Sequence, residues 1–317
     1  MTSNKFLGML LLTTTLICNN QICYTANPHE KDLTEGIRLE SNQLRKIVYK
    51  KGAAVSTHWN KLEHKYWFNR NKSLNVGWYY TWGTKWDNGN DSLFASNIEF
   101  VPMLWGAKEG DFSRKSGIKA QKELQWEVDN NKIKYLLGFN EPNGIIQANM
   151  TPQEAIDLWP NLMSFNIPLG APVPAGVMDN GGRWLDKFMQ LAHEKKYRVD
   201  FICIHSYPKS ATNFKKVVTS VWNRYGLPIW ITEFCLNDPK ATNAVPNRFS
   251  EDDVIAFMAD VLPWLDAQLY VKRYAWFGSA NPSKNKYNLR SSQLFNPETG
   301  ELTKVGLYYA NHKSVPE

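Results

Sequence analysis

Eight short runs rich in β-branched and aromatic residues mark the chain from Lys51 to Gly278, and their spacing limits the folds it can adopt. They are KGAAVS at 51, NVGWYYTW at 75, EFVPMLW at 99 and IKYLLGFNEP at 133. The series continues with IPLGAPVPA at 167, VDFICIHSYP at 199, LPIWITEF at 227 and YVKRYAWFG at 270. Successive starts lie 24 to 43 residues apart, and a strand with its crossover helix takes about 30 residues. The intervening stretches suit helices. Lys119–Asn131 and Trp184–Lys195 carry apolar residues at helical spacing. Ser250 followed by Glu251, Asp252 and Asp253 reads as an N-cap and an acidic first turn before Val254–Leu265. The expected fold is therefore α/β: one (β/α)8 TIM barrel over residues 45–317, with its active site at the carboxyl ends of the strands. A doubly wound sheet is the alternative, but no G-x-G-x-x-G or G-K-[ST] follows a run.

The N-terminus reads as an address. Lys5 precedes the apolar run Phe6–Cys18, and Ala26 ends a polar stretch that could precede cleavage. The run is shorter than the ~20 residues of a spanning helix, so residues 1–26 are expected to be a secretory signal rather than an anchor. Residues 27–44 are a polar leader with no strand signal. The expected location is extracellular, with a cell wall as the candidate surface. Three N-x-S/T sequons, at Asn71, Asn90 and Asn149, fit that address as glycosylation sites. A mean hydropathy of −0.45 excludes a polytopic membrane protein. The net charge of +7 would suit nucleic acid, but the Lys and Arg residues are scattered and no nucleic-acid motif is present. Neither nucleic acid nor, after signal removal, a membrane is expected as a partner, and the chain is expected to act as a monomer.

The residues that end the runs are the functional candidates. Run four ends in Asn140 and Glu141, run six in His205 and Tyr207, run seven in Glu233 and run eight in Trp276. Runs two and three end in Trp82 and Trp105. Two carboxyls at one mouth with an imidazole, a phenol and several indoles suit glycoside hydrolysis. One carboxyl protonates the leaving oxygen, the other attacks the anomeric carbon, and flat rings bind sugar faces. No metal or cofactor is required, and no H-E-x-x-H or Cys/His cluster is present. Taken singly, each of these residues is as readily a solvated loop charge or a core ring; their coincidence at the strand ends is what points to a site.

The ordered motifs resemble glycoside hydrolase family 128 of clan A. They are Lys50–Val55, Trp78–Trp82, Glu99–Gly106, Leu136–Asn143, Leu169–Ala175, Asp200–Tyr207 and Pro228–Phe234. The resemblance covers roughly residues 50–310 and implies a β-1,3-glucan substrate, cut inside the chain with retention; the alternatives are a clan A glycosidase on another β-linked polysaccharide and a β-glucan-binding protein with little turnover. It makes Glu141 the acid/base and Glu233 the nucleophile. It implies that Asn140 bonds the sugar 2-hydroxyl, Tyr207 holds the nucleophile and His205 lines the same subsite. Trp276 would form that subsite's floor, and Trp105, Trp78, Tyr80 and Trp82 would supply platforms. Thr81 departs from the amide that the family pattern places there. Retention requires carboxyls roughly 5–5.5 Å apart. Two further Cys fall in the barrel region, Cys203 two residues before His205 and Cys235 two beyond Glu233. That stagger is on the order of 13 Å along neighbouring strands, too long for a disulfide, so both are expected to be reduced, Cys203 as a buried small hydrophobe and Cys235 as a mouth or loop residue near Glu233.

Overall fold

Each of the eight runs forms one parallel strand. These are β1 Lys51–Ala54, β2 Trp78–Tyr80, β3 Glu99–Phe100, β4 Leu136–Leu137, β5 Leu169–Gly170, β6 Ile202–Ser206, β7 Ile229–Phe234 and β8 Val271–Trp276. The computed structural model describes residues 49–55, 73–85, 98–176, 180–238, 240–241, 245, 247–278, 290–296 and 299–317. The expectations for residues 1–26 and 27–44 and for Asn71 and Asn90 lie outside these. The described helices are α1 Ala107–Gly110, α2 Lys115–Asp129, α3 Pro152–Met163, α4 Asn180–Glu194, α5 Ala211–Tyr225, α6 Glu251–Ala267 and α7 Lys304–Asn311.

The expected closed ladder of eight strands is not formed. Six strands make one sheet, in the order β3-β2-β1-β8-β7-β6, and β4 and β5 make a second. Single parallel bridges, Met103 to Leu137 and Gly170 to Phe201, link the edges. The physical reason lies in the runs themselves. Pro102 interrupts run three, and Pro168, Pro172 and Pro174 interrupt run five. Proline has no N–H to give a ladder, so the strands there shorten to two residues.

Almost every strand residue is buried, as expected of parallel strands covered on both faces. The outer faces meet the helices in one apolar cluster that includes Ile202, Ile204, Ile231, Phe234, Tyr274 and Trp276. In α6, Val254, Phe257, Met258, Val261, Leu262 and Leu265 form the stripe that covers it. The helix starts where its cap sequence places it: Ser250 Oγ accepts from the Asp253 N–H at 3.2 Å, and Asp253 Oδ2 accepts from the Ser250 N–H at 2.8 Å.

The inner faces form a second cluster that draws on all the strand runs, including Ala54, Trp78, Tyr80, Met103, Leu137, Val173, Phe201, Cys203, Trp230 and Ala275. Its amino-terminal end is closed by Arg273. This side chain is fully buried, paired with Glu99 at 3.0 Å and Glu317 at 2.5 Å. The guanidinium lies 4.3 Å from the Trp230 ring and 4.5 Å from the Tyr135 ring. Gly52 makes room for this floor, because a Cβ there would sit 2.4 Å from the Trp78 indole. The open end is therefore the carboxyl end of the strands, where α/β sheets bind their ligands.

Candidate active site

Glu233 reaches the inner face through a bulge. Trp230 packs inward and Ile231 outward, so strict alternation would turn Thr232 inward and Glu233 outward. The register with β6 shifts instead: Ile204 pairs with Ile231, but His205 pairs with Glu233. The extra residue, Thr232, is absorbed in β7, and Glu233 is re-aimed at the mouth while Phe234 returns to the outer cluster.

Glu141 is placed by a turn. The Asn140 N–H donates to Trp105 O at 2.8 Å, and the Glu141 N–H to Val173 O at 2.7 Å. Glu141 then takes a φ of 42°, a left-handed conformation that a glutamate adopts only where its surroundings hold it. Asn143 supplies part of that hold, donating to Ala175 O and accepting from the Ala175 N–H, both at 2.9 Å.

His205 sits between the two carboxyls. Its Nδ1 lies 2.9 Å from Glu141 Oε1, and its Nε2 is 3.3 Å from Glu233 Oε1, close enough for an ion pair but not aligned as a hydrogen bond. The donor atoms of Glu141, His205 and Glu233 all lie within 4.8 Å of one another. Three further donors converge on Glu233. The Trp82 indole N–H donates to Oε1 at 2.8 Å, the Tyr80 hydroxyl is shared between Thr232 O at 3.1 Å and the same carboxylate oxygen at 3.3 Å, and the Tyr207 hydroxyl donates to Oε2. The trio is thus a donor set of a kind a metal could use; Glu141 Oε1 and both Glu233 oxygens already meet protein partners, while His205 Nε2 has no hydrogen-bond partner.

Burial and the charges on Glu233 and Glu141 push the Tyr80 and Tyr207 phenols well above their usual range, which keeps both as donors. Burial would lower the His205 imidazole, but the charge of Glu233 and the hydrogen bond and charge of Glu141 outweigh it and hold the proton on. Burial raises the Glu233 carboxyl, as does Glu141, against the opposing pull of His205, Tyr207 and Trp82.

The site brings together most of the residues expected from the sequence. Tyr207 holds Glu233, His205 lies beside both carboxyls and Asn140 lies under the mouth. Asn140 donates to Gln147 Oε1 at 3.3 Å, and its buried Oδ1 has no protein partner, leaving an acceptor for a ligand hydroxyl. Trp105 is half-buried at the mouth, where a platform can be. Three assignments are corrected. Trp276 is not a subsite floor: it is fully buried in the outer cluster, donating its indole N–H to Ser292 O at 2.8 Å. Trp78 is not a platform but part of the closed floor, bonded to Lys50 O at 3.0 Å. Tyr80 is not a platform: it is fully buried, with its hydroxyl turned to Thr232 O and Glu233 Oε1. Trp82 stays half-buried at the mouth and also donates to Glu233.

The residue at the mouth after β8 is Phe277, one place beyond Trp276; it stands at the end of run eight, but the run shows no alternation to mark which of the two faces inward, and the role went to Trp276. Gln147 lies beyond the motif and was missed; Asn143 ends the motif, which gives no sign that it bonds Ala175. Thr81 turns to its own loop, donating to Lys85 O at 3.0 Å. Asn149 is exposed on the loop after Glu141. Cys203 and Cys235 are both free, as expected of both, and both are buried; Cys235 is the first residue after β7, packed into the outer cluster and not at the mouth. Burial raises both thiols.

The family model for the glycosyl hydrolase catalytic core matches residues 53–309. Alkali-sensitive linkage protein 1 of Schizosaccharomyces pombe is 29% identical over 248 residues, which is 75% of this chain and 40% of that protein. A GH128 subgroup I endo-β-1,3-glucanase from Amycolatopsis mediterranei, solved with laminaritriose, matches with a TM-score of 0.65 at 28% identity. That match covers 83% of this chain and 98% of the enzyme. A GH128 subgroup V exo-β-1,3-glucanase from Cryptococcus neoformans matches at 0.63 and 26%, over 82% and 98%. The mouth that holds Glu141 and Glu233 is thus found in a chain that belongs to the glycosyl hydrolase catalytic core family, is a glycoside hydrolase and falls within glycoside hydrolase family 128.

Proposed function

We propose that the protein is an exported, retaining endo-β-1,3-glucanase, whose catalytic domain over residues 45–317 is a (β/α)8 barrel. The barrel reading is supported by the strand order and by the two bridges at the sheet edges. Export rests on the apolar run Phe6–Cys18 and suits a polymer too large to enter a cell. The substrate follows from the relatives, which include an enzyme solved with laminaritriose.

The observation that carries the mechanism is the closeness of the two carboxyls, whose facing atoms lie within 4.8 Å. An inverting enzyme leaves a gap of about 6.5–9.5 Å for water between its carboxyls, whereas direct attack needs the shorter spacing. Glu141 gives its proton to the glycosidic oxygen as the C–O bond breaks. Glu233 attacks the anomeric carbon and forms a glycosyl ester. Glu141 then takes a proton from water, whose oxygen displaces Glu233. Tyr207, Trp82 and Tyr80 favour the ionised Glu233 that attack needs.

A second reading, release of sugar from chain ends, is favoured by the exo-acting relative. Incubation with laminarin tests both. An endo enzyme yields a ladder of laminari-oligosaccharides with a fast fall in polymer size. A single small product with the polymer size preserved supports the exo reading, and no reducing ends at all would contradict both.

A further inference from the structure

We propose that Phe277 is a positioning residue for Glu233, its ring seated edge-on between Trp82 and Tyr207 so that it fixes the separation of the two donors that hold opposite carboxylate oxygens. The proposal rests on the reading of Glu233 as the nucleophile.

Neither donor is set by a ladder of its own. Trp82 lies beyond the end of β2 and Tyr207 beyond the end of β6. Trp82 also carries a φ of 59°, a left-handed conformation costly for a bulky residue, which persists only where its neighbours hold it. Phe277 is the shared neighbour. Its ring meets that of Trp82 at 5.9 Å and 84°, and that of Tyr207 at 5.6 Å and 88°. Both are edge-to-face contacts, a favoured geometry that sets the position of each ring against Phe277. Phe277 is itself tied to the strand of the nucleophile, since its N–H donates to Phe234 O at 3.0 Å. The wedge and the carboxyl are therefore registered to one backbone segment, and the two donors close on Glu233 from either side of the wedge.

The groups facing Glu233 fix the sign of the effect. Glu141 from the loop after β4 disfavours its ionised form, and His205 on β6 favours it. Tyr80 on β2, Trp82 and Tyr207 donate to it, and Cys235 stays protonated two residues on. Loosening Trp82 and Tyr207 removes two donors and leaves burial and Glu141 in place. Glu233 must then ionise at higher pH.

The test labels the full chain with ¹³C at the glutamate carboxyls, assigns Glu233 by loss of its signal in Glu233→Gln, and titrates wild type, Phe277→Ala and Phe277→Leu. The Glu233 midpoint is expected to rise by about one pH unit in Phe277→Ala, a tenfold change in its ionisation constant. A smaller rise is expected in Phe277→Leu, which keeps most of the volume and so decides the matter if the alanine variant does not fold. On laminarin, kcat should fall with little change in KM, and the acid limb of the rate profile should move by the same amount. Unmoved midpoints in the folded variants would overturn the proposal, and a raised KM with an unmoved acid limb would make Phe277 a sugar contact instead. A wild type that leaves laminarin intact would sink the proposed function, while the carboxyl titration would still decide the role of Phe277.

Discussion

Glu141 and Glu233 are chemically alike, and their surroundings separate their roles. Glu233 is ringed by Trp82, Tyr80 and Tyr207 as donors; Glu141 meets His205 and faces the mouth. Removing the proton donor should therefore be conditional on the leaving group. Glu141→Gln is expected to cut laminarin turnover by about 10²–10⁴-fold, the usual contribution of a general acid. Aryl laminaribioside, whose leaving group needs no proton, should lose far less in its first step. Equal losses on both substrates would contradict the assignment. At this scale the sequence was informative where chemistry is written in residue type: Asn140–Glu141 and Glu233 stand at the ends of their runs. It was silent on how side chains are used. Tyr80 and Trp82 look like any aromatic platform, and only their hydrogen bonds to Glu233 show that they are donors.

Elements decide which face a residue serves, and here two strands diverge from a simple reading. In β7 a bulge at Thr232 turns Glu233 inward against the alternation that Trp230 sets up. At the end of β8 no bulge separates Ala275 from Trp276, so Ala275 faces inward, Trp276 faces the helices, and Phe277, just past the strand, turns to the mouth. A run buried on both sides carries no polar residues to mark its faces, which is why Trp276 could be mistaken for its neighbour. The two readings of Trp276 predict different losses. Trp276→Ala should destabilise the protein by about 3–5 kcal/mol, as large-to-small changes in a core do. Trp276→Phe should keep near-native KM and kcat on laminarin at a temperature where it is folded. Denaturant melts with kinetics on the folded fraction check this, and a folded Trp276→Phe with normal stability and lost turnover would restore it to the site. The helices were more legible: the apolar stripe and the Ser250 cap of α6 are local signals, and both formed as read.

Across the whole molecule, the eight-unit order was legible from spacing alone, while the division of the sheet into six and two strands was not. It depends on prolines whose missing N–H groups shorten β3 and β5. The site also leaves a signature on global stability. Burial and Glu141 raise the Glu233 carboxyl, so the folded protein binds a proton more tightly there than the unfolded chain does. That contribution is fully present below the unfolded value, about 4.3, and is lost as pH rises through the folded value. His205, also raised, acts in the same direction: its contribution holds below about 6.5 and is lost as pH passes its folded value. Glu233→Gln removes the first and weakens the second. Its melting temperature relative to wild type should therefore increase from pH 4 to pH 8. Calorimetry at several pH values checks this, and a difference that stays constant or shrinks would contradict the proton linkage.

The central claim is that Glu233 forms a bond to sugar. A 2-deoxy-2-fluoro laminaribiosyl fluoride tests it most directly, since the fluorine at C2 slows hydrolysis of the ester while fluoride leaves without a proton. Mass spectrometry of the intact chain should show the mass of one added disaccharide, and peptide mapping should place it on Glu233. The adduct should be absent from Glu233→Gln and should still form in Glu141→Gln. A label on Glu141, or an enzyme that turns over laminarin but never accumulates an adduct and releases the α-anomer, would contradict the account.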